Sequence, residues 1–480
     1  MSEKKLTSVN AIDGISSVIT KLSDDIFDHP ETGYTETTAA ALQTEVLEKL
    51  GFTVQKNLAD IPTAFSGRYG SGSPVIGILG EFDALASLSQ EPGCTVQKPV
   101  VKDGSGHGCG HNLLGSASIA AAYGVMQYLK DTGMDGTVIY YGCPAEEGGS
   151  GKGFMARDHV FDELDCAVTW HPGDVNCVSD IPSLANIVVD YHFSGIAAHA
   201  AGCPHLGRSA LDAVTLMNTG VQFLREHIIQ EARIHYAVTN TGGISANVVQ
   251  PEAEVRYMIR APKITQVNEI YERVNDVARG AALMTGTTMT SKFIKATSDI
   301  QPNKVIAKVL QKNLEEFDPP VSTAEEIALA KELRATYPVT GAKLKAYLSK
   351  LPEETAEPYY AHINDDICDF VLPLHRDETC MPGSSDVGDV SQVCPVSQIN
   401  TATEFLDTPG HSWQLTSQGK STRAHKSEIY AAKVMAGAVI DLLEDPSLID
   451  RAKAEYDRRR DGIPFVSPIP ADIKPPVPEK

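Results

Sequence analysis

At 480 residues the chain is too long for one compact core and implies two or three structural units. Hydrophobic residues make up 42% and charged residues 21%, the balance of a water-soluble globular protein. The formal net charge of −21 excludes nucleic acid and anionic membrane surfaces as partners, and any anionic small substrate must meet a local cluster of positive charge. Met1-Ser2-Glu3-Lys4-Lys5-Leu6 lacks the apolar core of a signal peptide, and no apolar run is long enough to span a bilayer. Nine cysteines, an odd number without a CxxC pair, point to reduced thiols and a cytoplasmic location.

In chain order, helical periodicity covers about 8–28 and 36–50, the second helix ending at Gly51. Short strands follow at Phe52-Thr53-Val54, Ala64-Phe65-Ser66 and 75–79. A helix of small residues runs from about Leu113 to Lys130. The strand 137–141 leads to Glu146-Glu147, and the strand 167–170 leads to His171. Strands alternating with helices predict an α/β domain with a mainly parallel sheet and helices on both faces, with ligands gathered at strand C-termini. From Asn186 the pattern becomes strand (186–193), helix (208–229), two strands (234–239, 252–260), helix (267–283) and strand (288–295). This β-α-β-β-α-β order predicts an inserted ferredoxin-like α+β domain for the lid and dimerisation. The expected division is therefore 1–185 catalytic domain, first part; 186–300 inserted domain; 301–462 catalytic domain, second part; and 463–480 a Pro-rich, poorly structured tail. Residues 318–360 are charged and helix-prone, with few periodic cues, and read as an insertion of no assigned role.

Three motifs carry the chemistry. His107-Gly108-Cys109-Gly110-His111 places a thiolate and imidazoles on a turn that glycine permits. Taken alone, it reads as a glycine-rich turn with two surface histidines. Glu146 and Glu147 form a carboxylate doublet after a strand, able to supply a proton acceptor beside a metal ligand; alone, they are two solvated acids. Trp170-His171-Pro172 ends a strand, and its histidine reads equally as a core residue or a ligand. Both tryptophans lie near a histidine, Trp170 by His171 and Trp413 by His411, and are expected to wall the site against water. Asp83, after a strand, is placed to orient a ligand histidine from behind. Together the three motifs supply the donor types of a transition-metal hydrolase.

Nearly the whole chain resembles the di-metal aminoacylase/carboxypeptidase family of metallopeptidases. The matching stretches are Asp28-His29-Pro30-Glu31-Thr32, residues 79–85, 106–115, 141–151, 195–201, 204–213 and 385–391, and His411-Ser412-Trp413-Gln414. The resemblance implies that Cys109, His111, Glu147, His171 and His411 hold two divalent ions and that Glu146 is the general base. It further implies that His199 serves the active site of a partner protomer, and that Asn247 and Arg260 hold a substrate carboxylate. Many members carry a ligand histidine where Glu81 stands, so Glu81 is left outside the ligand set, with Cys109 and His111 compensating. The thiolate favours zinc, carboxylate and imidazole also admit manganese, and the resemblance suggests manganese. The implied activity is hydrolysis of N-acyl or N-aroyl amino acids, p-aminobenzoyl-glutamate first among them. The alternatives are a dipeptidase, a general aminoacylase and a non-catalytic subunit. The implied assembly is a homodimer or a heteromer with a related chain.

Overall fold

The computed structural model describes residues 2–376 and 379–478. Its main sheet has seven strands: β1 (Thr53–Lys56), β2 (Phe65–Ser71), β3 (Val75–Glu81), β4 (Gly136–Cys143), β5 (Cys166–Gly173), β6 (Cys177–Val178) and β11 (Val396–Ala402). They lie in the order β1-β2-β4-β3-β5-β11-β6. The four central strands, β4, β3, β5 and β11, run parallel, and the strands on either flank are antiparallel. Alternate side chains face opposite layers, as the pleat requires. Ile76, Ile78, Val138, Tyr140, Val168 and Ile399 pack with the helices Glu3–Asp28, His111–Thr132, Lys304–Glu316 and Thr422–Glu444. Leu79, Ile139, Tyr141, Ala167 and Val396 face the other way, into a core shared with the short helix Gly151–Arg157 and the second domain.

The second sheet contains β7 (Ala185–Ser194), β8 (Arg233–Asn240), β9 (Glu252–Ala261) and β10 (Thr288–Thr297) in the order β10-β7-β9-β8. Every pairing is antiparallel, and the helices Ala210–Leu224 and Ile264–Thr285 pack on it. That order and connectivity are the ferredoxin-like arrangement. β8 is an edge strand, and Tyr236 and Val238 on it are exposed.

Trp170 differs from the expectation of an aromatic wall. It follows the strand alternation to the face opposite His171, is 1% exposed in the helical core, and donates from Nε1 to Leu114 O at 3.0 Å. Trp413 packs with Ala330, Leu333, Tyr337, Ile367 and Phe405. Residues 463–478 form no helix or strand but are not loose: Ile469 is buried, Phe465 and Ile473 pack against the second core, and Arg157 donates to Pro470 O. Among the described residues no helix is long and apolar enough to cross a membrane. All nine cysteines are unpaired.

Candidate metal centre and active site

The donor residues converge at the C-terminal edge of the parallel strands. β3 ends at Glu81 and leads to Asp83; β4 leads to Glu146 and Glu147; β5 carries His171. Cys109 and His111 come from the turn that starts the helix His111–Thr132. Gly110 in that turn has φ +74°, and a Cβ there would meet Pro172 at 2.9 Å, so the turn can lie against the His171 strand only with glycine at this position. Glu146 and Glu147 follow Ala145, whose φ of +59° makes a tight corner anchored by its N–H donating to Glu36 Oε1 at 2.8 Å. Burial, with Asp83 nearby, pushes the Glu36 carboxyl up to about 8.

Three overlapping sets of donor atoms result, each set lying within 4.8 Å: Cys109, His111 and His171; Cys109, Glu147 and His411; and Glu81, His111 and Glu146. Cys109 Sγ is 3.5 Å from His171 Nε2 and belongs to the first two sets. Glu147 Oε2 is 3.5 Å from His411 Nε2. Asp83 holds the cluster from beneath, its Oδ1 3.0 Å from His111 Nδ1 and its Oδ2 accepting the Glu147 N–H at 2.9 Å. His171 Nδ1 is 2.7 Å from Pro172 O, so that nitrogen carries the hydrogen and Nε2 turns a lone pair to the cluster. His411, at φ +51°, donates its backbone N–H to Gly108 O at 3.2 Å, which ties its loop to the Cys109 turn.

The electrostatics suit a cation. His111 Nε2, Glu81 Oε2 and Glu147 Oε1 are buried atoms with no hydrogen-bond partner. Burial pushes the Cys109 thiol up, and burial followed by the charge of His111 pushes His171 down. For His111 burial opposes the charge, but Cys109 and Asp83 outweigh it and raise the imidazole. Burial, then Glu81 and Asp386, lifts the Glu146 carboxyl well above the ordinary range. Thiolate, imidazole and carboxylate around orphaned buried acceptors are the donor set of a divalent transition metal.

Arg260 ends β9 and donates to Pro382 O and Ser384 Oγ, both at 3.2 Å; no carboxylate among the described residues pairs with it. His199 and Asn247 are exposed on the inserted domain, and no hydrogen bond or ion pair joins either to the cluster. His199 Nδ1 accepts the N–H groups of Ala201 and Gly202, and the Ala200 N–H donates to Asn247 O at 2.9 Å.

Three neighbours escaped the sequence reading. Lys152 is fully buried, with Nζ 2.6 Å from both Glu81 Oε1 and Asp386 Oδ1. Lys295 on β10 is half-buried, and Glu146, Asp386, Arg260 and Glu147 are the charges that act on it. Lys152 and Asp386 lie in or beside stretches that carried the family resemblance, but a buried cation and its counter-ion leave no periodic mark. The 318–360 stretch forms the helices Ala324–Arg334 and Ala342–Leu348 and shorter turns. It grips the His411 loop. Lys343 Nζ is 3.1 Å from both Asp174 Oδ2 and Thr408 O, and Asp407 accepts the Gly341 N–H at 2.7 Å.

Residues 78–307 match peptidase family M20/M25/M40. The chain is 46% identical over 470 residues to one of the subunits of p-aminobenzoyl-glutamate hydrolase from Escherichia coli (strain K12), covering 97% of each. It is 26% identical over 344 residues to a different subunit of the same bacterium's hydrolase, covering 60% of this chain and 77% of the relative. Among solved structures, a dinuclear metal-binding M20 peptidase from Bacillus subtilis superposes with a TM-score of 0.55 at 16% identity, over 90% of this chain and 99% of that one.

Proposed function

The chain belongs to the M20/M25/M40 peptidase family and is a metal-dependent hydrolase, and from that premise we propose that it cleaves the amide of N-aroyl or N-acyl amino acids, p-aminobenzoyl-glutamate first among them. The observation that carries this reading is the convergence of Cys109, His111, Glu147, His171 and His411 beside the half-buried Glu146. These five residues would hold two divalent ions, manganese or zinc. When bound, such a pair supplies an activated water and positive charge for the developing oxyanion. Glu146 takes the proton from the attacking water and delivers it to the leaving amine nitrogen. Asp83 fixes the His111 tautomer and the Glu147 backbone.

Arg260 and Lys295 bring cationic groups near the cluster in a protein of net charge −21, burial pulling the Lys295 ammonium down while Glu146 and Asp386 oppose it. Arg260 has no carboxylate partner among the described residues, which suits it to grip a substrate carboxylate. Asn247 lies by His199 in the loop before β9, at the other end of that strand, and would meet a substrate carboxylate only in the site of a second protomer. Two cations match the two carboxylates of an acyl-glutamate. The exposed His199 would complete the site of a second protomer, and the edge strand β8 would be the surface for that pairing, with another copy of this chain or with a chain related to the 26%-identical hydrolase component. The location that fits these reactants is the cytoplasm. Residues 1–185 and 301–462 would form the catalytic domain and 186–300 the lid.

The test is a substrate screen on metal-reconstituted protein, with Arg260→Ala as the discriminating variant. Arg260→Ala should lose most of its cleavage of acyl-amino acids and little of its cleavage of the matching amino-acid amides. Equal losses on acids and amides would remove Arg260 from substrate reading, and no amide hydrolysis by the reconstituted wild type would remove the proposed activity.

A further inference from the structure

Glu81 ends β3 and is 2% exposed. Its Oε1 is pinned by Lys152 Nζ at 2.6 Å. Lys152 is held in turn by Asp386, through Nζ to Oδ1 at 2.6 Å and through its backbone N–H to Oδ2 at 2.9 Å. Lys152 and Asp386 are 0% and 1% exposed, so little freedom is left in where the other Glu81 oxygen points. That oxygen, Oε2, has no hydrogen-bond partner and lies 3.3 Å from His111 Nε2, which has none either. The two atoms are close but not aligned as donor and acceptor.

The tautomer sharpens the point. Asp83 Oδ1, an acceptor, faces His111 Nδ1 at 3.0 Å, so Nδ1 carries the hydrogen and the neutral ring presents a lone pair at Nε2. Glu147 Oε1, also buried and unpartnered, is 4.0 Å from the same nitrogen. Glu81 Oε2 and His111 Nε2 thus face each other as buried, unpartnered acceptors, an arrangement that is repulsive unless a metal ion or a proton on Nε2 lies between them. Donors bound at about 2.0–2.2 Å to one ion lie about 3–3.5 Å from each other, the spacing of Glu81 Oε2 and His111 Nε2.

We infer that Glu81 Oε2 is a further metal ligand, sharing an ion with His111, and that Lys152, backed by Asp386, is the positioning residue that aims it; this rests on the two-ion reading of the site. An added carboxylate among Asp83, Glu146 and Glu147 brings a negative charge that the ions alone would have to neutralise. The buried Lys152 offsets it while occupying only Oε1. The ion-free alternative is an imidazolium of His111 paired with Asp83 and Glu81, which needs no ligand role for Glu81.

The test is metal binding by folded Glu81→Gln protein. A glutamine whose Oε1 keeps the Lys152 bond turns its NH2 group towards the ions, so shape is retained and the donor atom is lost. Equilibrium dialysis with manganese, zinc and cobalt should give two ions in the wild type. In E81Q one of them should be weakened about 100-fold, at or beyond the upper end seen when an outer-shell partner is removed, with the other unchanged. The ligand-field absorption of the cobalt protein should change shape, which a structural role alone would not cause. Glu81→Asp keeps the charge and shortens the reach, and carries the same readout if E81Q does not fold. Wild-type affinities with an unchanged cobalt spectrum in a folded variant would reduce Glu81 to an ion-pair partner of His111. A wild type that binds fewer than two ions would overturn the two-ion reading itself, and this assignment with it.

Discussion

Asp83→Asn is the sharpest test of how the centre is held. Asp83 is 1% exposed, and each of its oxygens has one client: Oδ1 faces His111 Nδ1 at 3.0 Å and Oδ2 accepts the Glu147 N–H at 2.9 Å. Asparagine has the same shape but only one acceptor. If its oxygen stays with His111, the NH2 group faces the Glu147 N–H, donor against donor, and a buried backbone donor is orphaned at about 1–3 kcal/mol. If the amide flips, His111 must move its hydrogen to Nε2, and the lone pair aimed at the cluster is lost. Either way a ligand is misdirected. Loss of such an outer contact weakens metal binding about 10- to 100-fold, equivalent to about 1.4–2.8 kcal/mol. Competition against a chromophoric chelator measures the affinity, and thermal unfolding of metal-free protein measures the stability. An affinity within about twofold of wild type would refute the argument that Asp83 positions both ligands.

Three further outcomes follow from the geometry. Glu146→Gln keeps shape and removes the proton acceptor, so kcat should fall about 10²-fold or more with metal content near normal; near-wild-type turnover would make Glu146 a bystander. Burial, then Asp174, raises the Glu404 carboxyl from 4.5 to about 8, so the stability it contributes is complete below pH 4.5 and is lost as pH rises through about 8. Glu404→Gln should therefore unfold at a higher temperature than wild type at pH 9 and at a similar one at pH 4.5, and parallel melting curves across that range would sink the assignment. Lys343 is 59% exposed, so its ion pair with Asp174 adds about 1 kcal/mol or less to stability. Lys343→Met should nevertheless weaken the ion on the His411 side about tenfold, with rescue by Lys343→Arg, because Lys343 ties Thr408 to Asp174; unchanged metal affinity would show that the 318–360 segment does not steady the loop.

What the sequence reveals here follows from which forces leave a local mark. Strands such as 75–79 and 137–141 show themselves because burial on both faces demands a continuous apolar run, and the structure extends them only to Val75–Glu81 and Gly136–Cys143. The β-α-β-β-α-β order is legible because each element has its own period. The donors are legible only together: alone, the Cys109-His111 turn reads as a surface turn and the Glu146-Glu147 doublet as two solvated acids, and it is their joint occurrence within family-like stretches that marks them. Trp170 misleads because adjacency in sequence is not adjacency in space: along a strand its neighbour His171 points to the opposite face. The 318–360 segment gives few periodic cues because its helices are short and each buries only a few apolar side chains, Ala330 and Leu333 in one and Leu344 and Leu348 in the other, in two small clusters beside the polar ties of Lys343 with Asp174 and Asp407 with Gly341. Lys152 and Asp386 are hidden for a related reason. They are separated by 234 residues, and each alone resembles a surface charge. Burial makes their pairing obligatory: a charge removed from water must find its counter-ion, and only the folded chain shows that Lys152 found two, one of them the Glu81 that turns its free oxygen towards His111.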